Sequence, residues 1–214
     1  MTSTTTKITV GTLAAALALL TPGIASATEP SATVQQATPD LDGDGYPDLA
    51  TLTMAGDGQQ RLDFTVRGET TSVQLTGDPA QGVQPMRVTD MNGDGRQEVV
   101  VVESVGANTT FSTVWDHAGS GPRALSTSDG KPLQLAEGGG MAARLGYECA
   151  SNAAGGRDLI TLQVSRDDGD AVTYTGSRVR YEITDDVVHQ VNDYTISSVG
   201  QDDPVLRTAP ASCS

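Results

Sequence analysis

The sequence is poor in aromatic residues, histidine and cysteine, and each shortage narrows what the protein can be. Phe, Trp and Tyr make up 4% of the 214 residues, so a hydrophobic core must be built mainly from Val, Leu and Ile. The two histidines, His117 and His189, are far apart in sequence and do not form a zinc-ligand cluster. The two cysteines leave room for a single disulfide bond.

Basic residues are also scarce. Thirteen Lys and Arg stand against 27 Asp and Glu, which gives a formal net charge of −14. Nucleic acids and anionic membranes are bound by clustered Lys and Arg side chains. The charge balance therefore argues against both as partners.

The long apolar run at the N-terminus follows Lys7 and covers residues 8–20. It is shorter than the ~20 residues that span a membrane, and it is followed by Ala25-Ser26-Ala27. A basic start, a short apolar centre and a small-x-small ending predict a secretory signal peptide over residues 1–27; the alternative is a buried N-terminal helix. The short Ala-rich leader is typical of a bacterial protein. We expect a secreted, extracellular chain with no membrane insertion.

Export into an oxidising compartment predicts a disulfide bond between Cys149 and Cys213. This bond would tie the C-terminus to the middle of the chain. Two free thiols are the alternative.

Two acidic loops stand 50 residues apart, one over Asp40–Asp48 and one over Asp90–Glu98. Each loop has oxygen-bearing side chains at positions 1, 3, 5 and 9, and glycine at positions 4 and 6. Ca²⁺ prefers six to eight oxygen ligands, which carboxylates, backbone carbonyls and water supply. The pattern predicts two bound Ca²⁺ ions.

Each loop is followed by an apolar segment with strand character, Leu49–Met54 and Val99–Val105. A third unit aligns at Ala150–Asp158, but alanine stands at its positions 1 and 5, so we predict no calcium there. The sequence thus predicts a flexible mature N-terminus over residues 28–38 and one β domain over residues 39–214. The domain divides into units of about 40–89, 90–140 and 141–214.

The pattern Asp-x-Asp/Asn-Gly-Asp-Gly-x-x-Asp/Glu ahead of an apolar strand resembles the FG-GAP/VCBS repeats, and within them the calcium loops of integrin α-subunit β-propellers. The resemblance implies an all-β fold of about three propeller-like four-stranded meanders. A closed propeller normally has at least four blades, so we expect an open or irregular partial propeller. The resemblance implies two ligand sets: Asp40, Asp42, Asp44, the Tyr46 carbonyl and Asp48, and then Asp90, Asn92, Asp94, the Arg96 carbonyl and Glu98.

Two other interpretations of the loops remain open. EF-hand and dockerin loops begin similarly, but an EF-hand has a bidentate Glu at position 12 and flanking helices. Position 12 is Thr51 in the first loop and Val101 in the second, and both lie in predicted strands. Asp- and Gly-rich turns that bind no metal are the other alternative.

The leading functional hypothesis is a secreted binding or adhesion module in which calcium is structural. Its partner would be an extracellular protein or a glycan. No catalytic constellation is recognisable, and no catalytic residue is predicted. The alternative is a small secreted hydrolase or lyase with calcium-stabilised loops.

Overall fold

The computed structural model describes residues 33–214. This range forms fourteen β-strands and two short 3-10 turns, without an α-helix, and no helix in it is long and apolar enough to cross a bilayer. The predicted all-β fold is confirmed; the predicted signal peptide, residues 1–27, lies outside the described residues. The strands are β1 (Val34–Ala37), β2 (Leu49–Gly56), β3 (Gln59–Val66), β4 (Glu69–Thr76), β5 (Arg87–Thr89), β6 (Glu98–Val105), β7 (Thr109–His117), β8 (Pro122–Ala124), β9 (Ser126–Thr127), β10 (Gln134–Gly138), β11 (Ala143–Ser151), β12 (Arg157–Arg166), β13 (Thr173–Thr184) and β14 (Val187–Gly200).

The first four strands form an antiparallel sheet in the order β1-β2-β3-β4. Its two tight turns, Asp57-Gly58 and Arg67-Gly68, have positive φ at both residues, as a type I′ hairpin turn requires. The prediction of a flexible segment over residues 28–38 is wrong for Val34–Ala37, because these residues form β1 and pair with β2. Residues 28–32 of that segment lie outside the described range.

The other ten strands form one sheet in the order β5-β6-β7-β10-β11-β12-β13-β14-β9, with β8 paired to β7. Two four-stranded meanders can be followed within it, β5–β8 and β11–β14. Strand β10 pairs with the first half of β7 and with β11 through Gly138 and Leu145, so it joins the two meanders. Neither sheet closes on itself. The predicted count of three propeller-like units is therefore not confirmed, since only the first meander is a separate sheet.

Each meander begins with the strand that precedes its loop, namely β1, β5 or β11. The predicted unit boundaries at residues 40 and 90 are wrong in this respect, because they separate β1 and β5 from the strands with which they pair. Strands of four and three residues are too short to show a clear alternation of polar and apolar residues in sequence.

The second meander is buried on both faces. Val99 and Val101 of β6 pack with the first sheet around Phe64, whereas Val100 packs on the opposite side around Tyr147. Successive side chains of a strand point to opposite faces, so the continuous valine run of β6 fills two cores at once. This packing places the acidic loops of neighbouring meanders next to one another.

Candidate metal centre

The three aligned loops occupy equivalent places in the fold. They connect β1 to β2, β5 to β6 and β11 to β12, and in each case the two strands are antiparallel partners. Position 2 is an apolar residue in the first two loops, and it anchors the loop in the core. Leu41 and Met91 are both completely buried.

The first loop is folded around the carboxylate of Asp40. The N–H groups of Gly43 and Asp44 donate to its Oδ1 atom at 2.8 and 3.1 Å, and that of Gly45 donates to Oδ2 at 2.8 Å. Gly43 and Gly45 have φ of +74° and +84°, which L side chains rarely adopt. The glycines at positions 4 and 6 thus allow the backbone to wrap around the position-1 carboxylate.

Three carboxylates of the first loop converge. Asp40, Asp42 and Asp48 each place one oxygen atom within 4.8 Å of the others. Ligands bound to one Ca²⁺ at about 2.3–2.6 Å lie at most about 5 Å apart, so this spacing fits a single calcium ion. Asp44 lies outside this trio; its Oδ1 accepts from the N–H of Tyr46 at 2.9 Å.

A guanidinium group borders the first loop. Nε of Arg67 lies 2.8 Å from Oδ2 of Asp42, and Nη2 lies 3.7 Å from Oδ2 of Asp44. The Arg67 side chain is 70% exposed, so solvent screens this pairing strongly. It offsets part of the negative charge of the loop from the outside.

The second loop repeats the backbone arrangement of the first. The N–H groups of Gly93 and Asp94 donate to Oδ1 of Asp90 at 2.8 and 3.1 Å, as their counterparts do in the first loop. Its position-5 carboxylate differs, because Oδ2 of Asp94 accepts from Nη2 of Arg96 at 3.1 Å. Within residues 33–214, the first loop alone brings three carboxylates within ligand distance of one another.

Glu98, at position 9 of the second loop, is 2% exposed. The pKa of its carboxyl group is raised to about 8, because burial and the negative charges of Asp116, Asp90 and Asp94 raise it more than the N–H bond from Met91 lowers it. Nearby positive charge would favour the ionised form. The buried carboxylate therefore fits a cation-binding role at this position.

The position-9 carboxylate of the third loop is paired with protein groups. Asp158, at position 9, is 6% exposed, and its carboxylate accepts from Nδ2 of Asn152 at 2.8 Å and from Nε of Arg180 at 2.5 Å. Alanine at positions 1 and 5 removes two carboxylates. The one carboxylate that remains in the loop is thus paired within the protein.

Neighbouring loops are hydrogen-bonded to one another through position 8. Gln97 of the second loop donates its N–H to the carbonyl of Asp40 at 2.7 Å and accepts from the N–H of Asp40 at 2.8 Å. Arg157 of the third loop donates from Nη1 to the carbonyl of Asp90 at 2.7 Å. The N–H of Asp90 donates to the carbonyl of Cys213 at 2.7 Å. The position-1 N–H thus donates to the Cys213 carbonyl in the second loop and to the Gln97 side chain in the first.

The predicted disulfide bond is present between Cys149 and Cys213, with Cα atoms 4.8 Å apart. It holds the C-terminal segment against β11 and against the second loop. Sequence analysis did not identify Arg67 and Arg180 as partners of loop carboxylates, and it named Arg96 only for its backbone carbonyl. Arg67 lies in a turn and Arg180 on β13, and both reach the loops only in the folded chain, so no local pattern points to them.

One comparison with known proteins matches the part of the chain that contains both acidic loops. Residues 40–101, which include both acidic loops, match the model of the FG-GAP-like repeat family. No curated protein and no solved structure matches the chain. The chain therefore carries an FG-GAP-like repeat over residues 40–101, as the sequence pattern predicted.

Proposed function

We propose that the protein is an exported binding module in which the first and second loops each hold one structural Ca²⁺. The observation that carries the proposal is the convergence of Asp40, Asp42 and Asp48 to within 4.8 Å. Three carboxylates at this separation repel one another unless a cation neutralises them. A bound Ca²⁺ supplies that neutralisation.

Calcium in these loops would act on the junctions between meanders. The first loop is bonded to the second through Asp40 and Gln97, and the second to the third through Asp90 and Arg157. Fixing the two acidic loops would therefore fix how the first two meanders pack around the shared valine strand. This favours a structural role for the ion over a catalytic one.

The binding role is supported by the family match, since FG-GAP-like repeats are extracellular-type modules and typically non-catalytic. The hydrolase or lyase alternative calls for two carboxylates with shifted pKa in a cavity away from the loops. Among the described residues away from the loops and their neighbours, burial raises the pKa of the Glu103 carboxyl group. Glu103 lies on β6, and its carboxylate accepts a hydrogen bond from the hydroxyl group of Thr113 at 3.0 Å. We therefore propose the binding module alone.

Thermal unfolding in calcium and in chelator tests the structural role. A ligand at 100 times its Kd stabilises the folded state by about 2.7 kcal/mol, which corresponds to a rise of about 5–10 °C in Tm for a domain of this size. We expect at least this rise in Ca²⁺ and a smaller one in Mg²⁺, which prefers a tighter octahedral shell and keeps its waters. An unchanged transition in chelator would remove the basis of the proposal.

A further inference from the structure

A cleft of about 420 Å³ lies beside the first two loops, between the β3–β4 turn and the β7–β8 turn. Its volume falls within the range of small-molecule sites. Arg67, Arg96 and His117 line it, and Asp42, Glu69, Thr71 and Ser120 also face it. Two guanidinium groups in one cleft are unusual in a chain with 13 basic and 27 acidic residues.

Both guanidinium groups are paired with carboxylates. Arg96 is bonded through Nε and Nη2 to Asp94 at 3.3 and 3.1 Å, and its Nη2 lies 3.7 Å from the buried carboxylate of Asp116. Nε of Arg67 lies 2.8 Å from Oδ2 of Asp42, which also lines the cleft. These carboxylates position both arginine side chains.

Each guanidinium keeps one terminal nitrogen available to a ligand. Within residues 33–214, Nη1 of Arg96 and Nη1 of Arg67 have no hydrogen-bond acceptor, whereas Nη2 of Arg67 lies 3.7 Å from Oδ2 of Asp44. Guanidinium N–H groups form strong, charge-assisted hydrogen bonds with carboxylates. Two guanidinium groups that line one cleft, each with Nη1 available, make a site for an anionic group.

We propose that this cleft binds a small hydroxyl-rich molecule through its carboxylate, and that an acidic sugar is the class of ligand that fits. The carboxylate bonds to the free nitrogens of Arg67 and Arg96. The carboxylate of Glu69 and the hydroxyl groups of Thr71 and Ser120 bond to the ligand's hydroxyl groups. This inference rests on the proposed function in one respect, because the cleft is taken as the ligand site of the binding module. It does not depend on bound calcium.

Glucuronate and glucose make a matched pair of probes, because they differ in a carboxylate that replaces a CH₂OH group. Binding is measured by calorimetric titration of the full protein at about 0.15 M salt. The Debye length is then about 8 Å, so the charges of more distant acidic residues are largely screened. We expect glucuronate to bind with a Kd on the order of 1 mM, as the ligand efficiency of small molecules suggests. Glucose is expected to bind at least about tenfold more weakly.

Two substitutions separate the roles of the arginines. Arg67→Gln removes one charged donor from an exposed side chain and is expected to weaken glucuronate binding about tenfold. Arg96→Lys keeps the charge beside Asp116 but loses the fork, and a several-fold weakening is expected. Arg61→Gln is the control, because Arg61 is also exposed and paired with an aspartate, Asp63, but lies outside the cleft. Its Kd is expected to match that of the parent protein.

Equal affinity for glucuronate and glucose, or no binding of glucuronate, would overturn the inference. So would wild-type affinity in both Arg67→Gln and Arg96→Lys. Each titration is run with calcium and with chelator. A thermal transition insensitive to calcium would refute the proposed structural metal without altering the glucuronate comparison, so the two failures are distinguishable.

Discussion

Position 9 carries a carboxylate in all three loops, and its surroundings differ in each. Asp48 belongs to a trio of carboxylates, Glu98 is buried, and Asp158 is paired with Arg180 and Asn152. The first two loops share a backbone turn with positive φ at positions 4 and 6, and the third has positive φ only at position 6. At the scale of the residue, the three loops place the position-9 negative charge in three different surroundings.

Asp42→Asn tests the ligand role at position 3 of the first loop. Asparagine stands at this position in the other two loops, as Asn92 and Asn152, so the substitution suits the local backbone. The loss of one negative ligand is expected to weaken calcium binding at this loop roughly tenfold, because ligand charge sets the affinity of calcium loops. Calcium titration calorimetry measures the change.

Asn92→Ala is the companion variant for the second loop, and it should leave the affinity of the first loop unchanged. If Asp42→Asn binds calcium at both loops as the parent protein does, Asp42 is not a ligand.

Arg180→Met tests the charge partner in the third loop. It leaves the carboxylate of Asp158, 6% exposed, with only the amide of Asn152. We expect a loss of about 2 kcal/mol in the free energy of unfolding, measured by urea denaturation, since removing one partner of a largely buried ion pair leaves an uncompensated charge. The double variant Arg180→Met with Asp158→Asn should recover much of the loss, and failure to do so would show that packing of the Arg180 side chain matters more than its charge.

At the scale of the element, the disulfide bond and the C-terminal segment act together on the second loop. The carbonyl of Cys213 accepts from the N–H of Asp90 at 2.7 Å, and the bond closes a segment of 64 residues. Reduction is expected to lower the free energy of unfolding by about 4 kcal/mol in the chain-entropy model. Urea denaturation with and without reductant measures this loss.

The double variant Cys149→Ala with Cys213→Ala is the control for reduction. It should unfold at a low urea concentration that reductant does not change. An unchanged midpoint for the reduced parent protein would contradict the anchoring role given to the C-terminal segment.

Sequence patterns were sufficient to predict the strands that follow the loops, but they were not sufficient to predict how the strands of different units pair. β2 and β6 were predicted because apolar residues follow the acidic pattern directly. β10 was missed because Gly138, at its end, begins a run of three glycines that resembles a connector. Its pairing with β7 joins residues 21 to 29 positions apart in sequence, such as Leu135 and Ser112, and local sequence carries no information on such contacts.

The residues of the candidate site were likewise predicted only where they lie within the loops. The loop carboxylates were predicted from the loop pattern and its resemblance to the FG-GAP/VCBS calcium loops, and the structure brings together three of the four in the first loop, Asp40, Asp42 and Asp48. Arg67 and Arg180 could not be predicted as their partners, because each comes from a different turn or strand. Side chains that approach a loop across the fold are set by packing rather than by local pattern.

At the scale of the whole molecule, the described chain is a row of meanders held by a shared core and by contacts between loops. The buried valines of β6 pack toward both neighbours. Calcium at the first two loops would offset four of the 14 net negative charges on the chain. Metal binding, meander packing and solubility are therefore expected to be coupled through the same loops.

Calorimetric titration of the metal-free protein with Ca²⁺ tests the central claim most directly. The account predicts two bound ions per chain, one at the Asp40–Asp48 loop and one at the Asp90–Glu98 loop, with none at the third loop, where Arg180 takes the place of a cation. A stoichiometry of zero would contradict the metal role of both loops. A stoichiometry of three would contradict the assignment of the third loop to an internal ion pair.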